Sequence, residues 1–357
     1  VFLNQGDGTL GAAAHFPFGL AWNDHPAITA GDIDKDGDED LVLTHIWATD
    51  ASVTVLPNLG NAVFGPAIEY PLNGDYPYAV TLADLDGDSY LDMAVLTWEL
   101  EDVPAAGGFL RVLLNNGDGT FGASSPYQVS GHWAGPWIPM SVAAEDLDGD
   151  GNADLVVSAT HLHQQNTSVN QNSSVAVFLN LGGGVFQSTP AVYDNPWLNY
   201  FLSFPQEPWS QVRLAGFDGD GDVDVAATSE PHRAVWMLLN DGTGALVNFP
   251  VTRYLAVRWN MRSFAVDDFD GDGDVDIAAA DSKKDEVAIL FNVGSELMPR
   301  PCPADLDGNG EVGAFDLALL LGSWGPCDGD CPADLDDSGS VGAFDLALLL
   351  GAWGACE

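Results

Sequence analysis

The chain has 357 residues, 46% of them hydrophobic, enough for more than one buried core. It carries 53 acidic against 10 basic residues, a net charge of −43, which repels phosphate backbones and argues against nucleic acid as a partner. No apolar run approaches the length of a bilayer span, Leu346–Leu350 being far too short, which argues against membrane insertion.

The chain begins at Val1 inside a strand-like run, with no Met and no leader; a secreted protein would carry its signal peptide upstream. Val1–Asn4 and Leu10–Phe18 read as a third and a fourth strand. Then comes the first of five nine-residue loops of the form Asp-x-Asp-x-Asp-Gly-x-x-Asp, starting at Asp32, Asp84, Asp146, Gly216 and Asp268. Their spacings are 52 (32 to 84), 62 (84 to 146), 70 (146 to 216) and 52 (216 to 268). Alternate carboxylates on a tight loop repel one another unless a cation sits among them, and oxygen-only cages suit a hard dication such as Ca²⁺.

Each repeat follows one grammar. An apolar run such as Ala79–Ala83 enters the Asp loop and a second, such as Leu91–Leu96, leaves it. A third run ends in Asn, as in Val112–Asn115, Val177–Asn180, Trp236–Asn240 and Ile289–Asn292. A Gly-rich turn then leads to a fourth, more polar run. Short β-branched runs between Gly/Asp turns are antiparallel strands. Four strands per unit, repeated radially, make an all-β propeller of four-stranded blades. A seven-bladed ring beginning upstream of Val1 is the preferred reading, and a five-bladed ring the runner-up.

These loops resemble the calcium-binding propeller repeats of the FG-GAP or VCBS type, over residues 1–296. The resemblance implies carboxylate ligands at loop positions one, three, five and nine and a carbonyl at position seven. The implied sets are Asp32, Asp34, Asp36, Asp40 with Asp38 C=O; Asp84, Asp86, Asp88, Asp92 with Tyr90 C=O; and Asp146, Asp148, Asp150, Asp154 with Asn152 C=O. The fifth loop gives Asp268, Asp270, Asp272, Asp276 with Asp274 C=O. In the fourth, Gly216 replaces the first carboxylate, leaving Asp218, Asp220, Asp224 and Asp222 C=O, a weak or empty site. Four to five Ca²⁺ are thus expected in the propeller. Ser89 stands where position six is otherwise Gly, at a cost of about 1 kcal/mol if φ there is positive.

The blade face opposite the Asp loops carries Trp22, Tyr76, Tyr78, Trp133, Trp137, Trp209 and Trp259, with long loops at Glu99–Gly108 and His161–Ser174. Aromatics on a concave polar face suit a glycan or a protein ligand, against the plainer use of each ring in packing between blades. His161-x-His163 supplies only two imidazoles, too few for a metal centre. Glu99, Glu101, Glu207 and Glu230 show no spacing that singles out a catalytic pair.

After a connector at 297–301, residues 302–357 change in kind. Asp305, Asp307, Asn309, Glu311 (C=O) and Asp316 fall at positions 1, 3, 5, 7 and 12 of an EF-hand loop; Asp334, Asp336, Ser338, Ser340 (C=O) and Asp345 repeat the pattern. One to two Ca²⁺ are expected there, with the second site weakened by the neutral Ser338. Cys302, Cys327, Cys331 and Cys356 suit disulfides in an oxidising, extracellular compartment, and their equal gaps favour one bridge per repeat while other pairings stay open. An apolar helix follows each loop (Phe315–Leu321 and Phe344–Leu350), but Cys-Pro-Ala leaves no room for one before it. This double loop–helix segment resembles a type I dockerin. The resemblance implies a cohesin-like partner contacting Ala314, Phe315, Ala343 and Phe344. The whole then reads as a secreted, non-catalytic recognition and adhesion scaffold. The alternative is a polysaccharide-degrading enzyme, or an accessory component of such a complex, disfavoured by the scarcity of lysines (Lys35, Lys283, Lys284) to serve as a base.

Overall fold

The computed structural model describes residues 2, 4, 6, 9–15, 27–45, 51–72, 76–98, 108–129, 137–165, 168–194, 201–202, 210–229, 234–248, 261–281, 286–292, 304, 306, 311–326, 333, 335, 340–351 and 353–355. The chain divides into two compact units, Val1–Phe291 and Asn292–Glu357.

The first unit is a succession of antiparallel sheets, each in simple chain order. Sheet one holds β1 (Ile28–Gly31), β2 (Asp40–His45), β3 (Ser52–Leu56) and β4 (Ile68–Pro71). Sheet two holds β5 (Tyr76–Ala83), β6 (Asp92–Trp98), β7 (Gly108–Leu113) and β8 (Ser125–Val129). Sheet three holds β9 (Trp137–Glu145), β10 (Asp154–Gln165), β11 (Ser168–Phe178) and β12 (Ala191–Asp194), with β13 (Phe201–Leu202) paired to β11. Sheet four holds β14 (Val212–Ala215), β15 (Asp224–Ser229), β16 (Ala234–Asn240) and β17 (Leu246–Asn248). Sheet five holds β18 (Met261–Asp267), β19 (Asp276–Asp281) and β20 (Glu286–Leu290). Among the described residues, Val1–Asn4 and Leu10–Phe18 form no strand; one bridge joins Asn4 to Leu10, the counterpart of Asn58–Phe64, Asn115–Phe121 and Asn180–Phe186.

Central strands are apolar on both sides because the sheets pack face to face. Met93 and Val95 of β6 meet Val42, Val53 and Val55 of sheet one, whereas Ala94 and Leu96 join Leu155, Val157 and Phe178 of sheet three. Val156, Val175 and Val177 then meet Val225, Trp236 and Leu238 of sheet four. Burying whole side chains such as these contributes about 1.5–3 kcal/mol each. A recurrent tyrosine fastens neighbours further: the Tyr127 hydroxyl accepts the Phe186 N–H at 3.2 Å, and Tyr193 accepts that of Leu246 at 3.0 Å.

The described residues of the segment His161–Ser174 are strand, not loop. β10 and β11 stay paired in unbroken register from Leu155–Phe178 to Gln165–Ser168. The ladder is made of backbone bonds, which any residue type can supply.

In the second unit, α1 (Ala314–Gly322) and α2 (Ala343–Gly351) are flanked by four short strands: β21 (Glu311–Val312), β22 (Gly325–Pro326), β23 (Ser340–Val341) and β24 (Gly354–Ala355). β21 pairs with β24 and β22 with β23, so each half supplies a strand to the other. Ala304, Val312, Leu320, Ala333, Val341 and Leu349 fill the shared core in matched pairs. No helix among the described residues is long and apolar enough to cross a membrane.

Candidate metal centres

Each Asp loop of the first unit joins the first strand of its sheet to the second, and a reciprocal bond closes it. The position-nine carboxylate accepts the N–H of position two: Asp40 from Ile33 at 3.1 Å, Asp92 from Leu85 at 2.8 Å, Asp154 from Leu147 at 3.0 Å, Asp224 from Phe217 at 2.7 Å and Asp276 from Phe269 at 2.8 Å. Its other oxygen accepts the N–H of the Asn that ends the third strand, 2.7 Å from Asn58, Asn115 and Asn180 and 2.8 Å from Asn240. Asp92, Asp154, Asp224 and Asp276 are fully buried. Burial pushes Asp92, Asp154 and Asp224 up to about 6, against the lowering effect of those two backbone bonds.

Carboxylate oxygens converge within 4.8 Å in four loops: Asp32, Asp34 and Asp36; Asp84, Asp86 and Asp92; Asp146, Asp148 and Asp154; Asp268, Asp270 and Asp276. The fourth loop contributes no such group among the described residues. A Cβ at Gly216 would lie 3.1 Å from the Asp222 carbonyl oxygen, so that carbonyl crowds the place where the first carboxylate would start. In the other loops Asp88, Asp150 and Asp272 stay outside the three-carboxylate groups. Their oxygens turn the backbone locally, accepting the N–H of Tyr90, Asn152 and Asp274 at 2.8, 2.8 and 3.0 Å.

The donor set is all oxygen, which fits a hard cation. In loop one, moreover, Asp32 Oδ1 is buried without a hydrogen-bond partner. An ionised oxygen left so is costly, and an ion among Asp32, Asp34 and Asp36 would satisfy it. These clusters can hold a metal ion.

The loops need left-handed backbone at two positions. Position six is Gly37, Ser89, Gly151, Gly221 and Gly273, and position four is Lys35, Gly87, Gly149, Gly219 and Gly271; all have positive φ. Ser89 at φ 72° and Lys35 at φ 62° are the two without glycine's freedom, and they meet: Lys35 Nζ donates to Ser89 Oγ at 2.8 Å and lies 3.7 Å over the Tyr90 ring. Relief of left-handed strain outweighs one exposed contact, so Ser89→Gly is expected to stabilise the protein by about 1 kcal/mol. A thermal melt that moves down instead would show that the lysine contact dominates.

In the second unit Asp316 and Asp345 are buried, and each accepts a helix N-terminal N–H, from Gly313 at 2.7 Å and Gly342 at 2.6 Å. Ser340 lies exposed in β23, and Glu311 lies in β21. Asp305, Asp307, Asn309, Asp334, Asp336, Ser338 and all four cysteines lie outside the described residues. So do Trp22, Trp133, Trp209 and Trp259; Trp137 lies in β9, and Tyr76 and Tyr78 are half-buried in β5, where burial raises the Tyr78 hydroxyl. Beside Tyr76 in register stands Trp98, a residue sequence reasoning passed over, whose indole nitrogen is buried without a partner.

A family model described as an FG-GAP-like repeat matches residues 1–43, 102–157 and 216–279, and a second, the FG-GAP repeat, matches residues 139–178. These matches stop at residue 279, so the dockerin resemblance of the tail rests on its own residues. The curated proteins yield no match. Among solved structures, the chain is similar to one from the Photorhabdus luminescens Tc holotoxin pore, at 19% identity and a TM-score of 0.32, over 77% of this chain and 12% of that one. The first unit of this protein, mostly β with successive antiparallel sheets, carries FG-GAP-like repeats over the matched residues.

Proposed function

We propose that this protein is a secreted, non-catalytic recognition scaffold that depends on calcium. Its repeat unit, propeller-like in architecture, would present a glycan or protein ligand face at the sheet ends opposite the Asp loops. The observation that carries this reading is the recurrence of three-carboxylate clusters in four equivalent loops, with an unpartnered buried oxygen on Asp32. Elemental analysis of extensively dialysed protein tests it: about five to seven calcium ions per chain are expected, about four or five of them in the first unit, and recovery of no divalent ion would overturn it.

For the second unit the dockerin-type reading is supported by a duplicated apolar surface. Phe315 and Phe344 are 76% and 75% exposed, and Trp324 and Trp353 are each 50% exposed. Leu319, Leu321, Leu348 and Leu350 are exposed beside them on the same helices. Large apolar side chains held outward in two equivalent places are contact residues in waiting. Because the copies match, Phe315→Arg alone should leave binding to an immobilised cohesin module nearly intact. Phe315→Arg with Phe344→Arg should weaken it by about 100-fold or more. Unchanged binding by the double variant, or no binding by the unmodified chain, would remove the docking assignment.

A further inference from the structure

The Asp loops are wired to one another by buried asparagines. Asn115 Nδ2 donates to the Ile33 carbonyl in loop one at 2.9 Å and to the Leu91 carbonyl in loop two at 3.1 Å. Asn180 Nδ2 donates to Leu85 in loop two at 2.8 Å and to Ala153 in loop three at 3.0 Å. Asn240 Nδ2 donates to Leu147 in loop three at 2.7 Å and to Val223 in loop four at 3.0 Å. All three side chains are buried, and the cross-loop bonds span 82, 95 and 93 residues of sequence.

The residue at loop position two is therefore held from both sides. Its N–H is taken by the position-nine aspartate of its own loop, and its C=O by the asparagine of the next sheet. That asparagine's own N–H is bound by the next loop's position-nine aspartate. The turn after the asparagine also leans on the preceding loop: a Cβ at Gly119 would lie 2.9 Å from Asp34 Cβ, and one at Gly244 would lie 3.4 Å from Asp148 Cβ. Between loops one and two the Lys35 contact with Ser89 and Tyr90 adds a second strut.

We infer that Asn115, Asn180 and Asn240 couple neighbouring Asp loops, so that filling one loop orders the next and metal binding along the repeat unit is positively cooperative. The inference rests on the calcium reading above. An ion that fixes positions one to three of loop two fixes the Leu85 carbonyl, and through Asn180 the Ala153 carbonyl and Asp154 of loop three. The second ion then meets a partly ordered cage and loses less conformational entropy. The same wiring lets loop four, short of its first carboxylate, be held in shape through Asn240 by an ion in loop three.

A double-mutant cycle on the full chain tests this. Asp84→Asn keeps one of the two acceptors that the Gly87 and Ser89 N–H groups use and removes a charge from loop two. It should weaken calcium binding in loop three by about tenfold and lower amide-exchange protection across Asp146–Asp154 at subsaturating calcium. In an Asn180→Ala background the same substitution should leave loop three unchanged. A purely structural asparagine would destabilise the fold without abolishing that difference. If Asn180→Ala does not fold, Asp84→Asn alone decides: undiminished protection of loop three overturns the inference. Wild-type protein that binds calcium with independent sites also defeats the coupling while sparing the calcium reading; wild-type protein that binds no calcium defeats both.

Discussion

Stripped of divalent ions, this protein should become more stable as the solution is acidified from pH 7 towards pH 4, and calcium should reverse that slope. Burial raises Asp92, Asp154 and Asp224 to about 6 in the folded chain, above the unfolded value of 3.8. Asp40, Asp86, Asp148 and Asp270 are also raised by burial. Between roughly pH 4 and pH 6 the folded state therefore binds more protons than the unfolded state, and folding is favoured by acid. The contribution is fully present below the unfolded pKa and is lost as pH rises through the folded one. A bound dication favours the ionised carboxylates, so acid must compete with it and stability falls with falling pH. Thermal melts at pH 4.5 and pH 7 should therefore differ in opposite directions with chelator and with calcium. At pH 7, chelation should lower Tm by about 10 °C or more, since several buried charges lose their counter-ion together. Melts that superimpose with and without chelator would contradict the metal assignment.

Much of this arrangement could be read from residue order. The Asp-x-Asp-x-Asp pattern located the five loops of the first unit because carboxylate spacing within nine residues is a local property. The terminal Asn of the third strand was also visible as punctuation. Its work was not, because Asn180 and Leu85 meet across 95 residues of chain. The need for left-handed backbone at position four was masked by Lys35, which breaks the glycine series there while keeping φ at 62°. The tyrosines at 70, 127 and 193 recur 12 or 13 residues after the strand-ending Asn. That period is a signal that sequence reading could have used. His161–Ser174 misled for a different reason: its paired strands are rich in polar residues, and polarity without alternation reads as loop.

Position nine and position five of a loop look alike in sequence and should behave differently on mutation. Asp154 is fully buried, and its two oxygens satisfy the N–H groups of Leu147 and Asn180. Asp154→Ala strands both donors away from water and opens a cavity, at about 1–3 kcal/mol per donor, so a loss of about 3–5 kcal/mol is expected even in chelator. Asp150 is exposed and shapes only its own turn, accepting from Asn152 N and Nδ2 at 2.8 Å each. Water replaces those bonds, so Asp150→Ala should cost less than about 0.5 kcal/mol in chelator. Urea unfolding of both variants, with and without calcium, separates the two roles. Equal losses in chelator would mean that the position-nine carboxylate serves the ion alone. The expected inequality would mean that the residue closing the cage also staples three strands of its sheet, a role that Asp224 fills in loop four although that loop has Gly216 at the first carboxylate position.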